Sequence, residues 1–122
     1  MTATPGAPRE RPGAEQEGEE SPTLDDLGLD DALAALARRA HDRNRGRARR
    51  LSELLAAPRT DLGAAAREEA MRLCHTMAGS AATFGELGLS RAATRLETAL
   101  GAGRDVDVQE ALDLLSAEAG TG

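Results

Sequence analysis

Residues 68–100 read EEAMRLCHTMAGSAATFGELGLSRAATRLETAL. At 100° per residue, Ala70, Leu73, Cys74, Met77, Ala81 and Phe84 fall on one side of a helix. After Gly85, a second set repeats the same three- and four-residue steps: Leu89, Ala92, Ala93, Leu96 and Leu100. Gly85 suits the position just past a helix end, where the backbone turns left-handed. Two amphipathic helices joined by so short a turn are expected to pack antiparallel. Their facing residues are mostly Ala and Leu, strong helix formers. Ala fills little volume, so the core must come from closely approaching helices.

The pattern continues on both sides. Upstream, regular structure is expected to start between Leu24 and Asp31. Leu33, Ala37, Ala40, Asn44, Ala48, Leu51 and Leu55 then recur at helical spacing until Pro58 stops the run. A single helix over residues 31–57 would be roughly 40 Å long. Gly46, mid-run, costs about 1 kcal/mol relative to Ala and makes a kink or break there an expectation. Thr60 or Asp61 is expected to cap the next helix, which runs to about Thr83 with Glu68 and Glu69 in its N-terminal half. The third covers about residues 86–100 and is punctuated by Gly101 and Gly103. Asp107 is expected to cap a fourth over residues 108–119, with Val108, Ala111, Leu112 and Leu115 on one face and a frayed end at residues 120–122. The expected fold is all-α: an antiparallel, up-down-up-down four-helix bundle over residues 23–120. Residues 1–22 carry four of the five prolines, five glutamates and no Leu, Val, Ile or Phe. They are expected to form a disordered acidic Pro/Gly tail, because they have too little apolar area to offset ordering.

Composition excludes other classes. Among 122 residues there is no Trp, Tyr or Ile, and only two Val and one Phe, so a sheet has almost nothing to build with. Twenty-one acids against fifteen bases, all of them Arg, give a net charge of −6, which argues against general nucleic-acid affinity. One cysteine, Cys74, forbids an internal disulfide and suits a reducing compartment. No run approaches the roughly 18 apolar residues of a membrane span, and no apolar leader marks the N-terminus. A cytoplasmic monomer is the expectation. Residues 38–50 hold seven Arg against one acid, Asp42. That is a solvated face, or a docking stripe for an acidic partner.

His75 lies roughly 160° from the centre of the core face of its helix, aimed at solvent. Its neighbours there are Glu68, Met71, Arg72, Ala78, Gly79 and Ala82. Gly79 sits one turn on, directly over His75. Gly in mid-helix costs about 1 kcal/mol against Ala, and the reason to keep it is access. With no side chain at Gly79 and methyls at Ala78 and Ala82, a partner can come down onto the ring. A large fraction of an exposed imidazole is neutral and nucleophilic at pH 7, and His can form covalent intermediates. The sequence shows no Ser–His–carboxylate set, phosphate loop or metal-ligand spacing. The histidine can accept a group, but a donor must be activated elsewhere. His41, in Arg-Ala-His-Asp-Arg, has no small neighbours and reads as an ordinary surface or partly buried residue. Cys74 adjoins His75 but diverges from it by about 100°, so it reads as core.

His75 to Gly85, HTMAGSAATFG, followed by LSRAATRLE over residues 89–97, resembles the histidine-containing phosphotransfer (HPt) domain of bacterial two-component phosphorelays. The resemblance is closest over residues 66–103 and extends over 24–119. It implies a four-helix bundle whose exposed histidine is phosphorylated. Residue by residue, His75 would be the phosphoacceptor through Nε2, Gly79 the access residue, and Phe84 and Leu96 core. The family pattern has Lys where this chain has Ala78; Arg72, three residues before His75 and on nearly the same face, stands to supply that charge. The implied partners are response-regulator receiver domains and a sensor histidine kinase, with no nucleic acid and no membrane. The chemistry would come from the receiver, which holds the phosphoryl group on an Asp beside Mg²⁺, so the chain needs no cofactor of its own. Such a domain is a phosphocarrier rather than a turnover enzyme, and a chain this short is expected to act as a diffusible intermediate. Ala78 supports an alternative: an HPt-like module that docks a receiver or kinase without transfer. A third reading is a helical adaptor whose arginine run recruits an acidic partner.

Overall fold

A computed structural model describes residues 28–58 and 61–121. They form four helices: α1 (Leu29–Leu54), α2 (Ala64–Thr83), α3 (Leu87–Ala102) and α4 (Asp105–Ala119). There is no strand among the described residues. The expected tail over residues 1–22 lies outside them.

The chain divides into two compact units, Met1–Ala37 and Arg38–Gly122. In the first, the described residues begin α1. Leu29, Leu33 and Leu36 are all exposed there, Leu33 by 50%. This corrects the expected burial of Leu33. Periodic spacing says which face of a helix is apolar, not that anything covers it.

The second unit is the bundle. Arg50 on α1 pairs with Glu69 on α2, and Asn44 reaches Ser80, so numbers rise along one helix as they fall along the other. The Ser90 hydroxyl donates to the Ala78 carbonyl at 2.8 Å and Arg67 to the Leu100 carbonyl at 2.7 Å, which makes α2 and α3 antiparallel. Arg95 and Glu110, 3.6 Å apart, join α3 to α4, as does the approach of Gly88 to Glu118. The order is up-down-up-down.

The core is built as the periodicity predicts. Leu51, Leu55, Cys74, Met77, Leu96, Leu100, Val108 and Leu115 are buried among Ala48, Ala70, Ala81, Ala93, Ala111 and Ala119. One polar residue joins them: Asn44 is buried, with Oδ1 accepting from Arg47 at 2.6 Å and Nδ2 donating to Ser80 Oγ at 3.4 Å. Leu73 is only partly buried. Phe84, expected in the core, is the C-cap of α2 and 36% exposed. Beyond the last turn the helical period no longer governs where a side chain points.

Helix ends differ from expectation more than helix faces do. Gly46 causes no break, and α1 runs through it. The N-cap of α2 is Gly63, not Asp61, and Thr60 lies outside the described residues. The N-cap of α4 is Arg104. Asp107 lies in the first turn, paired with Arg104 at 2.7 Å. Neither N-cap uses a side-chain hydrogen bond. A carboxylate in the first turn still complements the helix dipole, so an Asp there does not identify the cap residue. The C-terminus of α2 is as read. Gly85 has φ +80, its N–H donates to Ala82 at 3.2 Å, and the Glu86 N–H donates to Ala81 at 2.8 Å. These are the two bonds of a Schellman motif. α3 continues past Gly101 to Ala102 and stops at Gly103, with φ +70.

Candidate functional site

Burial of Ala70, Cys74, Met77 and Ala81 sets the rotation of α2 and turns the middle of its opposite face outward. His75 stands there with 82% of its side chain exposed. Its Nδ1 lies 3.6 Å from Oε2 of Glu97 on α3. That is beyond hydrogen-bond length but close enough for attraction to a protonated Nδ1. Nε2, on the other side of the ring, has no hydrogen-bond partner among the described residues. Met71, Arg72, His75, Thr76 and Glu97 line one shallow depression.

The structure therefore brings three of the sequence-derived candidates, His75, Arg72 and Met71, to one place and adds Glu97 and Thr76. Glu97 was missed as a site residue although a signal existed. Leu96 is core, so the next residue on α3 is rotated about 100° from it, and the helices are antiparallel. Gly79 is exposed, and a Cβ built on it would meet nothing within 4 Å. Ala82 and Glu68 are exposed as expected. Ala78 is not. It packs against the core and its carbonyl accepts the Ser90 hydroxyl, because it lies on the flank of α2 that α3 covers.

Next to this open site, Cys74 is fully buried. Burial, helped by the charge of Glu97, pushes its thiol up to about 12. A thiol pKa raised on folding contributes stability that is complete below the ordinary thiol range. That stability fades as pH rises from about 9 toward 12. We expect native Cys74 to resist a thiol-specific reagent at pH 8 and to react fully in denaturant. Equal rates in both conditions would contradict its burial.

The other histidine is differently placed. His41 Nδ1 lies 3.0 Å from Glu86 Oε2, and both side chains are about one-third exposed. It is the partly buried residue expected. Across α1 and α2, the Arg50 hydrogen bond holds the Glu69 carboxyl below its ordinary range, and Glu69 raises the Arg50 guanidinium. A lowered carboxyl pKa contributes stability above the carboxylate range, lost as pH falls through it.

Among the described residues no three of His, Cys, Asp and Glu cluster to hold a metal, and no helix is long and apolar enough to cross a membrane. A family model described as the Hpt domain matches residues 47–120, which include the second part of α1 and all of α2, α3 and α4. No curated protein and no solved structure matches the chain.

Proposed function

The chain belongs to the Hpt domain family, whose members serve histidine phosphotransfer in two-component systems, and from that premise we propose that it carries a phosphoryl group between His75 and the aspartate of receiver domains. One observation carries this reading: a mid-helix imidazole, 82% exposed, faces open ground at Gly79. In the forward step the Nε2 lone pair attacks phosphorus. The bond from the receiver's aspartyl oxygen to phosphorus breaks, and the carboxylate leaves. The Nδ1 proton stays on the ring, which becomes cationic, and Glu97 stands beside that proton. Arg72, in the same depression, faces the phosphoryl oxygens where the family pattern uses Lys. Any Mg²⁺ belongs to the receiver, and the bundle contributes position and a nucleophile. The protein works in the cytoplasm, with receivers and a sensor kinase as partners.

The test is transfer from a receiver phosphorylated with acetyl phosphate. An acid-labile, base-stable label on the chain is expected. If no label appears with any receiver that binds, the chain is instead a docking module. Ala78, in place of the pattern's Lys, is the observation that favours that second reading.

Gly79 yields a prediction with opposite signs for stability and transfer. Gly79→Leu adds a good helix former at a position where a Cβ meets nothing within 4 Å, so it should gain about 0.5–1 kcal/mol and several degrees in Tm. The same side chain stands over His75 and should slow transfer by at least tenfold. Unchanged transfer, measured beside the melting curve, would remove the access role.

A further inference from the structure

Residues 38–50 place two arginine stripes on α1, and they face different ways. At 100° per residue, Arg39, Arg43, Arg47 and Arg50 fall within about 80° of one another, while Arg38, Arg45 and Arg49 fall within about 40° on another flank. The first stripe is the one beside α2. Arg50 pairs with Glu69, and Arg47 bonds Asn44, which reaches Ser80. Arg39 and Arg43 are exposed and have no ion pair among the described residues. Along α2 the ridge runs from the level of Glu69, paired with Arg50, past Ser80, bonded to Asn44, to Glu86, bonded to His41, while Arg72 and Thr76 line the depression that holds His75. None of the exposed large apolar side chains falls in residues 39–50 or 68–83. A partner approaching His75 on this side meets arginine, glycine and methyls. The carboxylates it meets are Glu69 and Glu53, both paired with Arg50, together with Asp42, Glu68 and, beside His75, Glu97.

We propose that the ridge of Arg39, Arg43 and Arg47 on α1, together with Arg72 on α2, is an electrostatic docking surface for the acidic face of the phosphorylated receiver. This rests on the phosphocarrier reading and adds what selects the partner. A receiver face that presents an aspartyl phosphate and carboxylates is net negative even with one Mg²⁺ bound, because the ion neutralises only part of that charge. The chain as a whole is also negative, at −6, so net charge alone would repel it. The local ridge reverses that sign where contact is made, which raises the association rate.

The experiment compares two double variants that remove equal charge: Arg39→Glu with Arg43→Glu, and Arg38→Glu with Arg49→Glu. The probe is a receiver domain selected for binding to the wild-type chain and phosphorylated with acetyl phosphate. Transfer rates are read from low to high salt, and melting curves confirm that both variants fold. The ridge variant should lose at least tenfold in second-order rate at low salt and most of its salt dependence. Its first-order transfer at saturating receiver should be unchanged. The other variant should stay within threefold of wild type. Equal losses in both would reduce the effect to net charge and overturn the proposal, as would no loss in the ridge variant. Failure of the phosphocarrier reading looks different: no label at saturating receiver in any protein. Titration with the beryllofluoride-activated receiver then decides the ridge by binding alone, with weakened binding only in the Arg39/Arg43 variant supporting it and equal binding overturning it.

Discussion

His75→Gln is expected to take no label from a phosphorylated receiver while melting within about 2 °C of the wild-type protein. The two halves of that result have separate causes. The side chain is 82% exposed and makes no hydrogen bond among the described residues, so its replacement disturbs little packing. Surface substitutions of this kind stay within about 0.5 kcal/mol. The Nε2 lone pair, in contrast, forms the bond to phosphorus, and the glutamine amide has no equivalent nucleophile. Labelling of the variant would move the site to the other histidine. His41 is a poor acceptor by comparison, because its Nδ1 is engaged by Glu86 at 3.0 Å and it has no bare helix surface beside it. A wide loss of Tm would show that His75 supports the fold in a way its exposure does not suggest.

Leu96→Ala should cost about 2–5 kcal/mol, read from chemical or thermal unfolding. Leu96 is fully buried on α3, and many of the side chains it shares the core with are alanines. An alanine has no rotamer by which to move into the vacated space, so the cavity persists and the cost falls toward the upper part of that range. A domain of this size is stable by about 5–15 kcal/mol in total, so the variant should be partly unfolded at modest denaturant concentration. A loss under about 1 kcal/mol would place Leu96 outside the core. Glu97, its neighbour, gives the contrast: Glu97→Gln removes the charge facing His75 Nδ1 from a partly exposed position and should leave the melting curve almost unchanged.

The faces of the helices were legible in the sequence wherever one period governs. Cys74, Met77, Leu89, Leu96, Val108 and Leu115 are buried as their spacing predicts, and His75 is exposed for the same reason. Legibility failed where the period ends or where another helix decides. Phe84 lies past the last turn of α2 and emerges at the surface. Leu33 continues an apolar stripe that is not covered. Asp61 and Asp107 have the chemistry of caps but sit two residues before and three residues after the true N-caps, Gly63 and Arg104. Ala78 has the right angle to be near the open face of α2, yet α3 takes that flank.

Four helices, their apolar faces and an outward histidine above a bare glycine therefore follow from the chain alone, because rotation within a helix is a local property set by 3.6 residues per turn. The placement of Glu97 beside His75, the bond from buried Asn44 to Ser80 and the arginine ridge beside α2 belong to the tertiary structure. They depend on the register and crossing of one helix against another, which side-chain packing decides across long sequence separations and no single period records.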